Sequence, residues 1–133
     1  MILCYTVFVT RDERIAHWQE GAHDALDAAM VLLREGKNAL ALFHCHLAAE
    51  KALKASYIAD NDAVPPHTHK LLNLALELKE QWSDEDQKLL NDLTVFAIAA
   101  RYDDDLTEDQ TAPENVQWWI DQVQTILSRL EDD

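Results

Sequence analysis

The sequence predicts an all-α protein, an up-and-down bundle of about five helices preceded by a short N-terminal extension. Its 133 residues suit a single domain. Only two of them are glycine, which leaves little turn chemistry for a sheet-rich fold. After Thr10, apolar residues recur at the three- and four-residue spacing of amphipathic helices. We therefore predict an extension over residues 1–10 and one helical domain over residues 11–133.

The first two predicted helices cover residues 11–35 and 38–59. The spacing of Thr10 and Glu13 fits a capping box at the start of the first helix, and Gly36 is a natural stop. Apolar residues surround the axis of the second helix, so we expect it to lie at the centre of the bundle. Its polar positions are then conspicuous: His44, His46, Glu50, Lys51 and Lys54.

The remaining helices are predicted over residues 68–82, from Ser83 to about residue 102, and from about residue 112 to the C-terminus. Ser83 precedes three acidic residues, which favour the positive end of a helix dipole. An acidic loop follows the fourth helix. The spacing of Thr111 and Glu114 indicates a second capping box at the start of the last helix.

Residues 2–9 do not follow the helical pattern. Their aromatic and β-branched side chains favour a strand, but one isolated strand cannot pair with itself. Three origins remain open: pairing across a dimer, packing onto the bundle, or the choice of an upstream start. The segment lacks the basic start and cleavage site of a secretory signal, and no apolar run reaches the roughly 20 residues that span a bilayer. We expect a soluble, cytoplasmic protein without a membrane segment.

The charge distribution is strongly acidic and uneven, with a net charge of −14. Residues 1–81 contain eleven acidic and eight basic side chains, whereas residues 82–133 contain fourteen acidic and three basic ones. Because nucleic-acid affinity comes largely from Lys and Arg, we expect no autonomous binding to DNA, RNA or anionic membranes. A basic protein partner would be attracted, and the attraction would fade as salt rises.

The histidines and cysteines do not form a recognisable metal or nucleophile motif. His44 and His46 lie about 200° apart around a helix, and His67 and His69 have no third ligand near them in sequence. A Glu-x-x-His motif occurs once, although carboxylate-bridged di-iron bundles need it twice. Cys45 is interpreted as a buried structural thiol. Glycine-rich phosphate loops are missing, so we predict no metal, cofactor, Rossmann or P-loop site.

Arg101 stands out because it is one of three basic residues after position 81. Two interpretations remain open from the residues alone. It could pair with Glu50 or Asp103, or favour the helix C-terminus. Alternatively, it could face a cleft as an anchor for a phosphate or another anion.

Three stretches resemble the HEPN domain family, named for higher-eukaryote and prokaryote nucleotide binding: residues 41–55, 65–72 and 100–103, in this order and spacing. The resemblance covers roughly residues 15 to 130. It implies an all-helical bundle that forms homodimers and binds a small nucleotidyltransferase, in some members as a toxin–antitoxin pair.

Many members of the family that this sequence resembles are metal-independent ribonucleases. Their motif is an Arg followed, after four to six intervening residues, by a His. Counting from Arg101, those positions hold Leu106, Thr107 and Glu108, and no His occurs after His69. The missing His would be the acid–base group, and the Arg an electrostatic stabiliser. The acidic residues 103–105 would also oppose the approach of RNA.

The leading hypothesis is a non-catalytic, dimeric HEPN-like protein that partners a small nucleotidyltransferase and is a candidate to bind a nucleotide. We predict a cleft at the junction of the second and fourth helices, at a dimer seam. Its binding residues are Arg101, Tyr102, Lys51 and Lys54, supported by Glu50 and Asp103. Two alternatives remain: a metal-independent ribonuclease using Arg101 with an atypical base, and a purely structural oligomerisation module.

Overall fold

The structure is a computed structural model that describes residues 9–102 and 109–132. The helices within these two ranges are α1 (Arg11–Arg34), α2 (Asn38–Asn61), α3 (Leu71–Ala75), α4 (Asp84–Tyr102) and α5 (Pro113–Glu131). Within the described ranges no residue is in a strand, so the predicted all-α bundle of about five helices is confirmed. Most of the predicted N-terminal extension and its strand-like segment lie outside the described residues, as does Asp103.

Helix α2 is the centre of the bundle, as predicted. It packs against each of the other four helices. Twelve of its 24 residues are buried, and they are distributed around the whole circumference of the helix. An all-round apolar helix can be stable only when neighbours cover it on several sides, and here α1, α4 and α5 do so.

The ends of the long helices are defined by local chemistry that the sequence shows. Thr10 Oγ1 accepts a hydrogen bond from the backbone N–H of Glu13, and Ser83 Oγ accepts one from that of Asp86. Gly36 adopts the left-handed φ of 77° that ends α1. Helix α2 continues two residues beyond its predicted end and stops where Asp62 becomes left-handed, with a φ of 49°.

Helix α5 does not begin with the predicted capping box. Its N-cap is Ala112, which has no side-chain oxygen, and Pro113 occupies the first turn. Proline is suited to this position because its fixed φ is helical and its missing N–H would have no intrahelical acceptor. The predicted capping box of Thr111 and Glu114 is therefore wrong, because the N-cap lies one residue later than predicted.

Helix α3 is much shorter than the predicted helix over residues 68–82. It cannot begin at Thr68, because Lys70 has an extended backbone and donates its N–H to Thr68 Oγ1. After Ala75 the backbone changes to three-residue turns, in which the N–H of Glu77 donates to the carbonyl oxygen of Leu74 and that of Leu78 to the carbonyl oxygen of Ala75. Further along, α2 contacts this segment, because Asp60 Oδ2 accepts a hydrogen bond from the N–H of Lys79 at 2.9 Å. The helical pattern of the sequence is therefore overridden in this segment.

No helix in the described part of the chain is long and apolar enough to cross a membrane.

Candidate functional site

Three of the predicted site residues lie on α2, and two lie at the end of α4. Glu50, Lys51 and Lys54 occupy the middle of α2. Arg101 and Tyr102 belong to the last turn of α4, four and five positions after Ala97. Arg101 lies four residues, about one helical turn, after Ala97. Residues at this spacing are neighbours on the surface of a helix. The predicted supporting residue Asp103 lies outside the described residues.

Glu50 and Lys54 form a buried ion pair. Lys54 Nζ donates to Glu50 Oε2 at 3.0 Å, and the side chains of Lys54 and Glu50 are only 10% and 7% exposed, respectively. The Lys54 ammonium also lies 5.5 Å from the ring centroid of Trp18 on α1, within the range of a cation–π contact. The charge of Lys54 is therefore already compensated inside the protein.

Lys51 is arranged differently from Lys54. It is half-buried and lies across Gly21 of α1, where an added Cβ would come within 3.1 Å of Lys51 Cδ and 3.3 Å of Nζ. The ion pairs found between described residues do not include Lys51. Of the two predicted lysines, Lys51 is thus the one whose charge is uncompensated within the described part of the chain.

Two histidines that the sequence analysis did not place in the site complete a polar network around Glu50. His69 Nδ1 donates to Glu50 Oε1 at 2.9 Å, and His46 Nε2 donates to the carbonyl oxygen of His69 at 2.7 Å. His46 is 5% exposed, whereas the His69 side chain is 72% exposed. The network therefore runs from buried Lys54 to the surface at His69.

The segment that carries His69 is held in place on its other side by α4. Thr94 Oγ1 accepts a hydrogen bond from the N–H of Leu71 at 3.2 Å and donates to the carbonyl oxygen of Leu90 at 3.1 Å. Thr94 is 6% exposed, so both hydrogen bonds are buried. These contacts position the backbone of His69 between α2 and α4.

The protonation of His46 follows from its partner. Because a carbonyl oxygen can only accept, Nε2 of His46 must carry the hydrogen. Burial, the largest effect, lowers the pKa of His46 below its usual range, although the carbonyl of His69 and the charge of Glu50 oppose the shift. His46 is therefore neutral near pH 7, and its Nδ1 is an acceptor with no partner among the described residues.

A cavity of about 270 Å³ opens beside this network, between α2 and α4. Its apolar walls are Phe43, Leu47, Ala97 and Ile98, and its polar lining is His46, Glu50 and His69. The cavity lies where the second and fourth helices meet, which is the junction at which a cleft was predicted. It combines an apolar slot with buried groups that can accept hydrogen bonds.

Cys45 does not contribute to this chemistry. Its side chain is fully buried, and burial raises the pKa of the thiol to about 12, so the nucleophilic thiolate is scarce at neutral pH. The neighbouring His44 is directed along its own helix, with Nδ1 donating to the carbonyl oxygen of Leu40 at 2.9 Å. The described residues also contain no group of three side chains placed to hold a metal ion.

The sequence carried a partial signal for the histidines. His46 is a polar residue on the predicted central helix, and His67 and His69 flank Thr68, where the third helix was predicted to begin. Their contacts with Glu50 could not be assigned, because 19 residues and an irregular loop separate His69 from Glu50.

Comparison with known proteins gives two findings. The family model of the HEPN domain matches residues 15–133. The crystal structure of TT1696 from Thermus thermophilus is similar to this chain, with a TM-score of 0.78 and 26% sequence identity, over 90% of this chain and 97% of that one. No curated protein matches the sequence.

Proposed function

The chain belongs to the HEPN domain family, and on this basis we propose that it is a non-catalytic, dimeric member that partners a small nucleotidyltransferase and binds a nucleotide in the α2–α4 cleft. The observation that carries the proposal is a cavity between α2 and α4 together with a sequence that lacks the histidine of the ribonuclease motif. Arg101 follows the lining residue Ala97 by one turn, but the three positions where the ribonuclease motif would place its His hold Leu106, Thr107 and Glu108.

The partner is tested by isolating the tagged protein from its native host and identifying what co-purifies. We expect a small nucleotidyltransferase encoded beside it, and we expect Arg101→Ala to weaken the complex without unfolding the bundle. Arg34→Ala is the matched control, because Arg34 carries the same charge in the last turn of α1. Recovery of the homodimer alone, together with a failure to bind nucleotides, would refute the proposal.

Exposed apolar side chains beside the cleft support the dimer. Leu40 on α2 is 46% exposed, while Val95 and Ile98, one turn apart on α4, are 54% and 48% exposed. They lie on the two helices that form the cavity, so a second copy packed against these helices would cover the three apolar side chains. This arrangement fits the symmetric self-contact of a twofold dimer.

Sedimentation velocity measures the dimer directly. We expect Ile98→Asp to shift the protein to monomer, whereas Val64→Asp should leave it dimeric, because Val64 is 70% exposed in the loop between α2 and α3. An apolar interface should persist as salt rises, whereas an ionic one should loosen. A monomer in the unmodified protein would exclude the dimer.

A second candidate function, a metal-independent ribonuclease, is favoured by the contact between His69 and Glu50. A carboxylate that orients an exposed imidazole is a frequent arrangement for a general base, and the Nδ1–Oε1 distance is 2.9 Å. In this hypothesis His69 would replace the missing His of the motif, and Arg101 would stabilise charge in the transition state.

The ribonuclease hypothesis predicts cleavage of RNA in the presence of EDTA. His69→Gln and Arg101→Ala should each abolish cleavage. His67→Gln is the control, because His67 is exposed and lies two residues away on the same loop. If the unmodified protein leaves structured and unstructured RNA intact, the ribonuclease hypothesis is refuted.

A further inference from the structure

A second cavity, of about 400 Å³, lies at the end of the bundle where α1 begins and where α2 and α5 end. The segment that follows α3 also lines this α1–α2–α5 cavity. Its volume falls within the range of roughly 300–1,000 Å³ that holds small-molecule ligands. It shares no lining residue with the α2–α4 cavity, so a ligand bound here is independent of the nucleotide binding proposed above.

Apolar side chains from four parts of the chain line the α1–α2–α5 cavity: Ile15, Ala55, Ala59, Leu78 and Leu130. Ala55 and Leu130 are 1% and 9% exposed, so they form a buried part of the wall. Removing a hydrocarbon chain from water against such side chains is favourable. The cavity can therefore hold the aliphatic part of a ligand.

Three carboxylates line the same cavity, each from a different part of the fold. Asp60 lies in the last turn of α2, Glu80 lies in the segment after α3, and Glu131 is the last residue of α5. The side chains of Glu80 and Glu131 are only 21% and 31% exposed. Because partly buried charges are screened less by salt than exposed ones, these carboxylates can hold a cation more firmly than an open acidic surface does.

Within the described part of the chain, Glu80 and Glu131 each keep one oxygen without a partner. Arg129 contacts Oε1 of Glu80 at 3.5 Å, and His23 contacts Oε1 of Glu131 at 2.6 Å. No hydrogen bond or ion pair between described residues uses Oε2 of either side chain. Both carboxylates can therefore accept a hydrogen bond from a ligand.

Asp60 is oriented by the backbone of the segment that faces it. Its Oδ2 accepts the hydrogen bond from the N–H of Lys79 at 2.9 Å, which leaves Oδ1 to a ligand. Lys79 is the single basic residue among the described residues that line the cavity, and it is exposed. Its ammonium can therefore extend into solvent, and the lining keeps an excess of negative charge.

We propose that the α1–α2–α5 cavity binds a linear aliphatic diamine or polyamine. The ammonium ends of such a ligand are charged at neutral pH, like the side chain of lysine. They match carboxylates that lie on different elements, and the hydrocarbon that joins them matches the apolar lining. The net charge of −14 draws cations towards the protein in general, whereas the cavity determines which cation is retained.

Calorimetry with four ligands separates the two kinds of contact. The unmodified protein is titrated with putrescine, butylamine, butanediol and magnesium chloride in about 0.15 M sodium chloride, which screens the general field of the acidic surface. We expect putrescine to bind, butylamine to bind about tenfold more weakly because it lacks one charged hydrogen bond, and butanediol not to bind. An equal concentration of Mg²⁺ should not displace putrescine. The absence of putrescine binding, equal binding of butylamine or displacement by Mg²⁺ would each overturn the proposal.

Two variants with matched controls locate the ligand. Ala59→Leu fills the cavity without a change of charge and should weaken putrescine binding at least about tenfold, whereas Ala16→Leu, at an exposed position of α1 outside the lining, should not. Asp60→Asn keeps an oxygen that can accept the N–H of Lys79 and should also weaken binding about tenfold. Glu77→Gln removes the same charge from an exposed position nearby and should leave the affinity unchanged. Unchanged binding by Ala59→Leu, or equal losses in Asp60→Asn and Glu77→Gln, would refute the assignment to this cavity.

A lysine side chain of a partner protein carries the same ammonium group as the proposed ligand. A blocked peptide with a single lysine tests this source in the same titration. We expect it to bind at least about tenfold more weakly than putrescine, because it offers one ammonium group instead of two. A peptide that bound as tightly as putrescine would assign the cavity to a protein partner and overturn the proposal.

Discussion

Replacing Glu50 with leucine tests how strongly the buried ion pair contributes to the fold. The substitution removes the acceptor of Lys54, whose side chain is 10% exposed and whose remaining contact is the ring of Trp18. A buried charge that loses its partner costs about 3–5 kcal/mol. For a chain of 133 residues, we expect a fall in Tm on the order of 10 °C or more.

Replacing Lys54 should lower the free energy of unfolding less than replacing Glu50. Lys54→Met leaves Glu50 with the hydrogen bond from His69, at 2.9 Å, so its charge keeps one donor. We expect a loss of about 1.5–3 kcal/mol, in the range of hydrogen bonds to charged groups. The double variant, Glu50→Leu with Lys54→Met, replaces the pair by apolar groups and should be more stable than Glu50→Leu alone, since such replacements are often neutral.

Urea unfolding followed by circular dichroism at pH 7 measures all three variants, and a double-mutant cycle gives the coupling between the two side chains. Asp92→Leu is the control, because Lys88 and Asp92 have the same four-residue spacing and a 2.7 Å contact, but their side chains are 78% and 35% exposed. We expect that control to lose at most about 0.5 kcal/mol. If Glu50→Leu costs no more than Asp92→Leu, the buried ion pair does not stabilise the fold.

Three further outcomes follow from local structure, each measured by urea unfolding. Burial lowers the pKa of His46 in the folded protein, so on acidification the imidazole is protonated in the unfolded chain first. The free energy of unfolding should therefore fall as the pH drops below about 6.5, and His46→Gln should reduce this pH dependence. Gly36→Ala should cost about 1 kcal/mol, because the φ of Gly36 is 77°. Gly21→Ala should instead raise the free energy of unfolding by up to about 1 kcal/mol, because the flexible side chain of Lys51 can move away from the new methyl group. A decrease would show that the Lys51 side chain is held in place.

The parts of the fold that local chemistry controls could be predicted from the sequence. The apolar period and the end signals at Thr10, Gly36 and Ser83 act within one helical turn, so α1, α2 and α4 begin and end within two residues of the expected positions. The third helix was overestimated, because after Ala75 the backbone changes to three-residue turns, and Asp60, nineteen residues before Lys79, contacts the segment that follows. Periodicity carries no information about such contacts.

The same distinction applies to the cleft. Polar residues on a central helix must find partners, so Glu50 and Lys54 could be singled out from the sequence and their four-residue spacing made a pair plausible. Their link to His69 depends on the path of the loop, which no local pattern encodes. The sequence also left open that Arg101 pairs with Glu50. Both oxygens of that carboxylate already accept hydrogen bonds, from Lys54 and from His69.

The charge distribution separates the two candidate functions. RNA binding requires several phosphates to meet cations, but the chain has 25 acidic and 11 basic residues, and Lys54 is neutralised by Glu50. A mononucleotide brings one phosphate group, so one or two cations near the cleft suffice, and Lys51 and Arg101 are the predicted ones. In the α2–α4 cleft the charge of Glu50 is offset by Lys54, so this carboxylate adds little repulsion toward a phosphate group. A mononucleotide is therefore better matched to this molecule than an RNA chain.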